Sequence, residues 1–412
     1  MKKILIPSLL GLALSGQAFA ATDAELLRAE IEAMKGHMSQ LEEKMNRLQE
    51  ENQSLKVNQQ KLAAAPAASS SAAESGIAPE VKKVAETLEF SGVVEIGAYA
   101  GRNYTGGNYS DINVDTAAAA VTAQLSDYSS AEISLLYEED STDLEVDTAS
   151  ISFEKEGNPF SLQVGQAYLP FGMFTTSLVN DTLVLEIAET RETAAIAGVS
   201  SDNGFLAQTY VFNGDMDHDA ASSNTLENWG ARLAWETEEA GLGLDYINNI
   251  ADSNGIGDYI DDNCDPITAG VDYDQWLRGE VGAFILHGHV QMGPVTLIGE
   301  ALRSDDFSDK ERLTAFTALA PVGKAPSAWQ LEIDYAVSIL GRDYTLATAW
   351  QESDDALFLE LPKRRQSLGA STLLDEKTSL NLELWRDHDY GYSSGGTDDQ
   401  TNNIALQLTR EF

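Results

Sequence analysis

Between positions 181 and 192 the chain places four carboxylates and one guanidinium, Asp181, Glu186, Glu189, Arg191 and Glu192, directly behind Leu169-Pro170-Phe171-Gly172. Acids at this density around one base make a field that a permeating solute meets. Hydrolytic use lacks the partners it needs: there is no HExxH, no GxSxG and no glycine-rich phosphate loop. His287 and His289 sit two apart, so they share one strand face, but no third ligand adjoins them and polar lining is the simpler role. Cys264 stands between Asp262 and Asp265, a field that disfavours the thiolate. Asp215, Asp217, Asp219 and Glu227 have part of a calcium-loop spacing, but Ala220 replaces the required glycine and Glu227 comes one place late. The sequence therefore predicts no enzyme, no cofactor and no dedicated metal site. Divalent cations are expected only as loose company for acidic outer loops, where Asp252, Asp258, Asp261, Asp262, Asp265, Asp272 and Asp274 also fall.

Charge narrows the partners. With 26 Lys plus Arg against 66 Asp plus Glu the net charge is −40, which excludes a nucleic-acid binder. One cysteine excludes a disulfide framework. Beyond the first twenty residues no apolar run is long enough for a membrane helix, so any span must be built of strands.

The elements that position these residues follow in order. Residues 1–20 read as a signal peptide: Lys2 and Lys3, an apolar run from Ile4 to Leu14, and Ala18-Phe19-Ala20 before the cleavage point. Residues 21–62 carry a heptad, with Leu27, Met34, Leu41, Leu48, Leu55 and Leu62 at d and Ile31, Met38, Met45, Asn52 and Gln59 at a. This predicts a periplasmic α-helical coiled coil that pairs copies of the chain into a homo-oligomer. Residues 63–85, rich in Ala, Ser and Pro at their start, read as a linker.

From 86 to 412 the pattern is period two. Trp229, Ala231, Leu233 and Trp235 alternate with Gly230, Arg232, Ala234 and Glu236; Trp329, Leu331, Ile333, Tyr335 and Val337 alternate with Gln330, Glu332, Asp334 and Ala336. Seven short turns alternate with eight longer loops, at about 101–113, 140–143, 173–193, 213–228, 251–279, 304–326, 353–364 and 388–402. The fold class is all-β: a 16-stranded antiparallel transmembrane β-barrel preceded by the coil. Arg312 to Ala320 could be a seventeenth strand, but both chain ends belong on the periplasmic side, so it goes to a loop. Ile404, Leu406, Leu408 and Phe412 put the last strand's apolar face in lipid. The polar faces then line a lumen with Glu95, Glu132, Glu138, Glu300, Glu332, Asp334 and Glu383, against Arg232. Pro170 and Gly172 end the fifth strand and are expected to turn the following loop inward as a pore constriction. For an anionic solute the candidate basic partners are Arg191, Arg232, Lys363 and Arg364.

Leu169-Pro170-Phe171-Gly172 followed by Asp181, Leu183, Leu185-Glu186 and Glu189-Thr190-Arg191-Glu192, behind an N-terminal coil, resembles the siderophore porins of the legiobactin-receptor type. Pro326-Ser327-Ala328-Trp329, Glu332, Tyr335 and Leu361-Pro362 add to the resemblance, while Asp181-Thr182-Leu183 and Lys363-Arg364 depart from it. The resemblance implies a Gram-negative outer-membrane channel without a globular plug, associated with ferric-siderophore uptake and surrounded by lipid and lipopolysaccharide. Alternative readings from the residues are a cation-preferring diffusion porin for small polar solutes and an envelope tether whose helix of about forty residues spans roughly 60 Å.

Overall fold

The computed structural model describes residues 87–139, 141–214, 226–263, 280–307 and 325–412. The signal peptide, coil and linker, Cys264, most of the acidic outer-loop residues and Arg312 to Ala320 lie outside the described residues.

Sixteen strands follow one another: β1 (Leu88–Arg102), β2 (Asn108–Ser126), β3 (Ser129–Glu138), β4 (Thr142–Phe153), β5 (Phe160–Tyr168), β6 (Arg191–Ser200), β7 (Phe205–Asn213) and β8 (Asn228–Glu236). The second half comprises β9 (Ala240–Ile247), β10 (Ala283–Met292), β11 (Val295–Ser304), β12 (Ser327–Ile339), β13 (Arg342–Asp354), β14 (Arg364–Asp375), β15 (Thr378–His388) and β16 (Gln400–Glu411). Each strand pairs antiparallel with its neighbours, and β1 closes on β16, with Ile96 opposite Leu408 and Ala98 opposite Leu406. Closure removes every sheet edge, which is what lets a sheet cross lipid. Outward side chains such as Leu162, Leu233, Leu244, Leu286, Leu331, Leu368 and Leu406 are 40–63 % exposed. An apolar band of this extent needs lipid around it, as transmembrane barrels have.

The first outer connection is shorter than expected. Instead of a loop over 101–113, β1 and β2 stay paired through Gly101–Tyr109 and Arg102–Asn108, and the turn is 103–107. Asn108, Tyr109, Ser110 and Asp111 are all exposed, so the side chains there lack a buried face to set a period while the backbone ladder continues.

The lumen is not evenly open. The short helix α1 (Leu183–Ala188), capped by Thr182 Oγ1 accepting from Leu185 N–H at 3.1 Å, lies in the β5–β6 loop. The β9–β10 loop contributes a 3-10 turn η1 (Ile250–Asp252) and helix α2 (Asn254–Asn263), and the β13–β14 loop a 3-10 turn η2 (Leu357–Leu359). Phe171, Leu183, Val184 and Ile187 of the β5–β6 loop form one buried cluster with Tyr210, Phe212, Ile247, Ile250, Ile256, Ile285 and Leu302. Each such side chain withdrawn from water contributes about 1.5–3 kcal/mol. An apolar core thus lies inside the barrel, against the arc from β6 to β12.

Candidate functional site

The β5–β6 loop is closed at its neck by Leu169 N–H on the Thr190 carbonyl at 2.8 Å. It then reverses direction at Gly172 (φ +98°) and Phe174 (φ +54°). Glycine is required at 172, because a Cβ there would meet the Phe174 ring as well as the positive φ.

Beyond the reversal the loop is held by acceptors on the inner wall. Asp245 on β9 takes Gly172 N–H at 2.8 Å. Glu300 on β11 takes Met173 N–H at 2.6 Å and Phe174 N–H at 3.1 Å. On β12, Glu332 takes the Thr176 hydroxyl and Ser177 N–H, both at 2.7 Å, and Asp334 takes the Ser177 hydroxyl at 2.8 Å. Gln351 on β13 takes Leu183 N–H at 2.8 Å. Glu383 on β15 takes Val179 N–H and Asn180 N–H at 2.8 Å and the Asn180 side-chain amide at 2.9 Å. The loop therefore runs inside the barrel from β9 to β15 along a track of five wall carboxylates and the Gln351 amide. Charged acceptors of this kind make the stronger class of hydrogen bond.

Glu300, Glu332 and Asp334 thus face inward, but only 3 %, 0 % and 8 % of their surface remains accessible because the loop covers them. Arg232 also faces inward and is engaged: it grips Asp245 at 2.9 and 2.7 Å and donates to the Gly172 carbonyl. His287 lies beside this pair, 3.3 Å from Asp245, whereas His289 sits 3.9 Å from Glu236, so the two rings do not converge on one ligand.

The residues of the loop itself divide. Asp181 and Glu186 are exposed, yet walled in by the barrel, so a solute can reach them while part of their hydration is lost. Enclosure pushes the Asp181 carboxyl above its ordinary range; Glu138, Glu95 and Glu383 add to the rise and Arg365 opposes it. Glu186 is raised by enclosure and by Asp181, again against Arg365. Glu189 is pushed up to about 7, first by burial and then by Asp181, although Asn254 donates to it at 3.1 Å. Arg191 points its charge at β4, 2.6 Å from Glu145 and 3.1 Å from Asp147, and Glu192 is buried on β6. The structure therefore brings Asp181, Glu186 and Glu189 within electrostatic reach of one another, the first two exposed and Glu189 half-buried, and takes Arg191 and Glu192 to the wall.

Two wall groups escaped the sequence reading. Asp245 stands in Gly241, Gly243, Asp245, the inward phase of β9, and that alternation was the available signal. Arg365, not Lys363 or Arg364, is the inward base of β14; it holds Asp387 through two hydrogen bonds of 2.9 and 3.1 Å. Lys363 pairs with exposed Asp354, and Arg364 lies over the Trp350 ring and bonds Glu352 at 2.9 Å. A single residue changes the face in a strand, so three consecutive basic residues carry no phase of their own. Asp252, expected on an acidic rim, is instead buried and accepts from Asn228 at 2.9 Å and Asn249 at 2.6 Å. Among the described residues no three His, Cys, Asp or Glu side chains are grouped to hold a metal ion, and no helix is long and apolar enough to cross a membrane.

No family model matches the chain. It is 25 % identical over 352 residues to a UPF0422 protein of Coxiella burnetii, covering 81 % of this chain and 70 % of that protein. A UPF0422 protein of Legionella pneumophila is 23 % identical over 303 residues, 68 % of this chain and 55 % of the relative, so the match spans about half of the Legionella protein. Among solved structures, the anion-selective porin from Comamonas acidovorans superposes with a TM-score of 0.54 at 10 % identity, over 79 % of this chain and 99 % of the porin. OprB of Pseudomonas putida gives 0.54 at 10 % identity, covering 81 % and 96 %. OmpF of Salmonella typhi, in complex with daunomycin, gives 0.53 at 13 % identity, covering 79 % and 97 %. At these identities the likeness is one of fold: a closed sixteen-stranded porin-type barrel.

Proposed function

We propose that this chain is an outer-membrane diffusion channel for small polar solutes that prefers cations, with the β5–β6 loop as its constriction. One observation carries the reading: the loop lies inside the barrel with Asp181 and Glu186 exposed and Glu189 half-buried beside them, while Arg191 at the start of β6 and the inward Arg232 and Arg365 are each paired with a carboxylate. Fixed charges in a narrow passage are only partly screened, because the Debye length is about 8 Å at physiological salt. The chemistry is selection by field and size, with no bond made or broken. The test is the reversal potential of single channels in a salt gradient, for the parent and for Glu186→Gln with Glu189→Gln. A parent without cation preference, or a double variant with an unshifted potential, sinks the assignment of selectivity to this loop.

A narrower reading, uptake of ferric siderophores, draws support from one coincidence. The stretch that resembles the siderophore porins, Leu169 to Glu192, is the stretch that runs inside the barrel. A neutral or cationic ferric complex suits the acidic passage; an anionic one would need Arg365, the base that acts on Asp181 and Glu186, to be drawn from its partner Asp387. Liposome uptake of ferric complexes of either charge, beside neutral sugars and simple salts, separates this reading from general diffusion. Association of copies through residues 21–62 and contact of the outer rim with lipopolysaccharide complete the proposed setting.

A further inference from the structure

The loop enters the lumen through three consecutive amides. Those of Gly172, Met173 and Phe174 all point at the wall, where Asp245 takes the first and the two oxygens of Glu300 take the second and third. Successive N–H groups around a left-handed residue form a concave anion site, and here the anions are side chains of the barrel itself. The surroundings of Glu300 complete the clamp. Its register partners are His287 on β10 and Gln330 on β12, Arg232 bridges Asp245 to the Gly172 carbonyl, and Gln330 reaches the Thr175 carbonyl at 3.4 Å.

Glu300 and Glu383 are both buried carboxylates on loop amides, but they are used differently. Each oxygen of Glu300 faces an amide that can only donate. At Glu383 all three donors converge on Oε2, and Oε1 has no hydrogen-bond partner.

We propose that Glu300, with Asp245, is the positioning residue of the constriction: it fixes the elbow from which the loop runs inside the barrel, and so sets the size and selectivity of a passage whose ions it does not meet. The proposal rests on the channel reading above. It differs from a field role in a way that glutamine substitution exposes. At 383 the amide oxygen can stay on the side of the three donors while the NH2 group takes the place of the idle Oε1, where it lacks an acceptor but opposes no loop amide. At 300 one loop amide must face an NH2 donor, because glutamine offers a single acceptor atom where two are required. Both substitutions remove the same charge.

The experiment uses the full chain in planar bilayers with potassium chloride, for the parent, Glu300→Gln and Glu383→Gln, each first shown by heat-modifiable gel migration to be a folded barrel. Glu383→Gln, whose amide oxygen stays available to the loop donors, is expected to change the unitary conductance clearly less than Glu300→Gln does. Glu300→Gln is expected to shift it by about twofold or more and to fluctuate among levels as the freed elbow samples other positions. Equal effects of the two substitutions, or a Glu300→Gln channel like the parent, overturn the proposal. A second measurement needs no variant: in the detergent-solubilised parent, the Met173 and Phe174 amides are expected to exchange hydrogen about a hundredfold more slowly than that of Thr175, which has no acceptor among the described residues. Equal exchange rates overturn the clamp whether or not the protein conducts. A parent that shows the protection but never conducts defeats the channel reading instead.

Discussion

Lowering the pH from 8 to 6 should remove most of one negative charge from the constriction loop. The Glu189 carboxyl, held up to about 7 by burial and by Asp181, passes from about nine-tenths ionised to about one-tenth across that window. In dilute salt of about 0.01 M, where the Debye length is about 30 Å, a monovalent ion passing about 8 Å away in water feels about 0.5 kcal/mol from a full unit of charge. Cations lose that attraction while anions lose the matching repulsion, so about 0.8 of a charge changes their relative free energy by about 0.8 kcal/mol, or about fourfold in permeability ratio. Reversal potentials in a fixed salt gradient, recorded at pH 8, 7 and 6, read this directly. Glu189→Gln should flatten the step, while Asp181 and Glu186, raised as well, extend the fall toward lower pH. A parent whose ratio is flat over the window, or a Glu189→Gln channel that keeps the step, refutes the reasoning. The sign for stability is the reverse of the usual carboxylate case: the folded state holds this proton more tightly than the unfolded chain. Glu189 therefore favours folding below the ordinary carboxylate range and loses that contribution as pH rises toward about 7.

Phe171→Ala empties a fully buried site in the lumen core and should cost about 3–5 kcal/mol in the denaturant stability of the loop, with larger and noisier conductance while the barrel stays closed. Arg232→Met strips the guanidinium from Asp245, which has no exposure; breaking a buried pair costs about 3–5 kcal/mol, so the temperature of the heat-modifiable gel shift should fall clearly below the parent's. Deleting residues 21–62 should lower the oligomeric mass by light scattering and leave the monomer's barrel signature in circular dichroism intact; an unchanged mass moves the interface to the barrel wall.

Strand number and the inward faces were legible because period two is written in residue types: Leu331, Ile333 and Tyr335 against Gln330, Glu332 and Asp334 admit only one orientation in lipid. What covers Glu332 was not legible, since the donors on it are a threonine hydroxyl and a backbone amide, and an amide has no signature in sequence. The same gap hid the consequence for selectivity: an inward carboxylate looks like a free charge until its loop partners are placed. Phase failed where types did not alternate, at Lys363-Arg364-Arg365 and along Asn108 to Asp111. Asp252 was misplaced for a related reason, because an aspartate among aspartates reads as rim until two asparagine amides are found on it.

The apolar cluster enclosed by the barrel means that one chain is folded against two solvents. Side chains such as Leu233 and Leu368 meet hydrocarbon outside, where burying one protein surface on another gains no advantage over lipid contact. Phe171, Leu183 and Ile187 pack within an aqueous cavity, so their association draws on water exclusion, with the heat-capacity change and denaturant sensitivity that accompany it. The two regions answer to different handles: swapping detergents acts on the outer band, whereas urea acts on the inner core. The passage can therefore be remodelled chemically in a barrel whose walls remain standing.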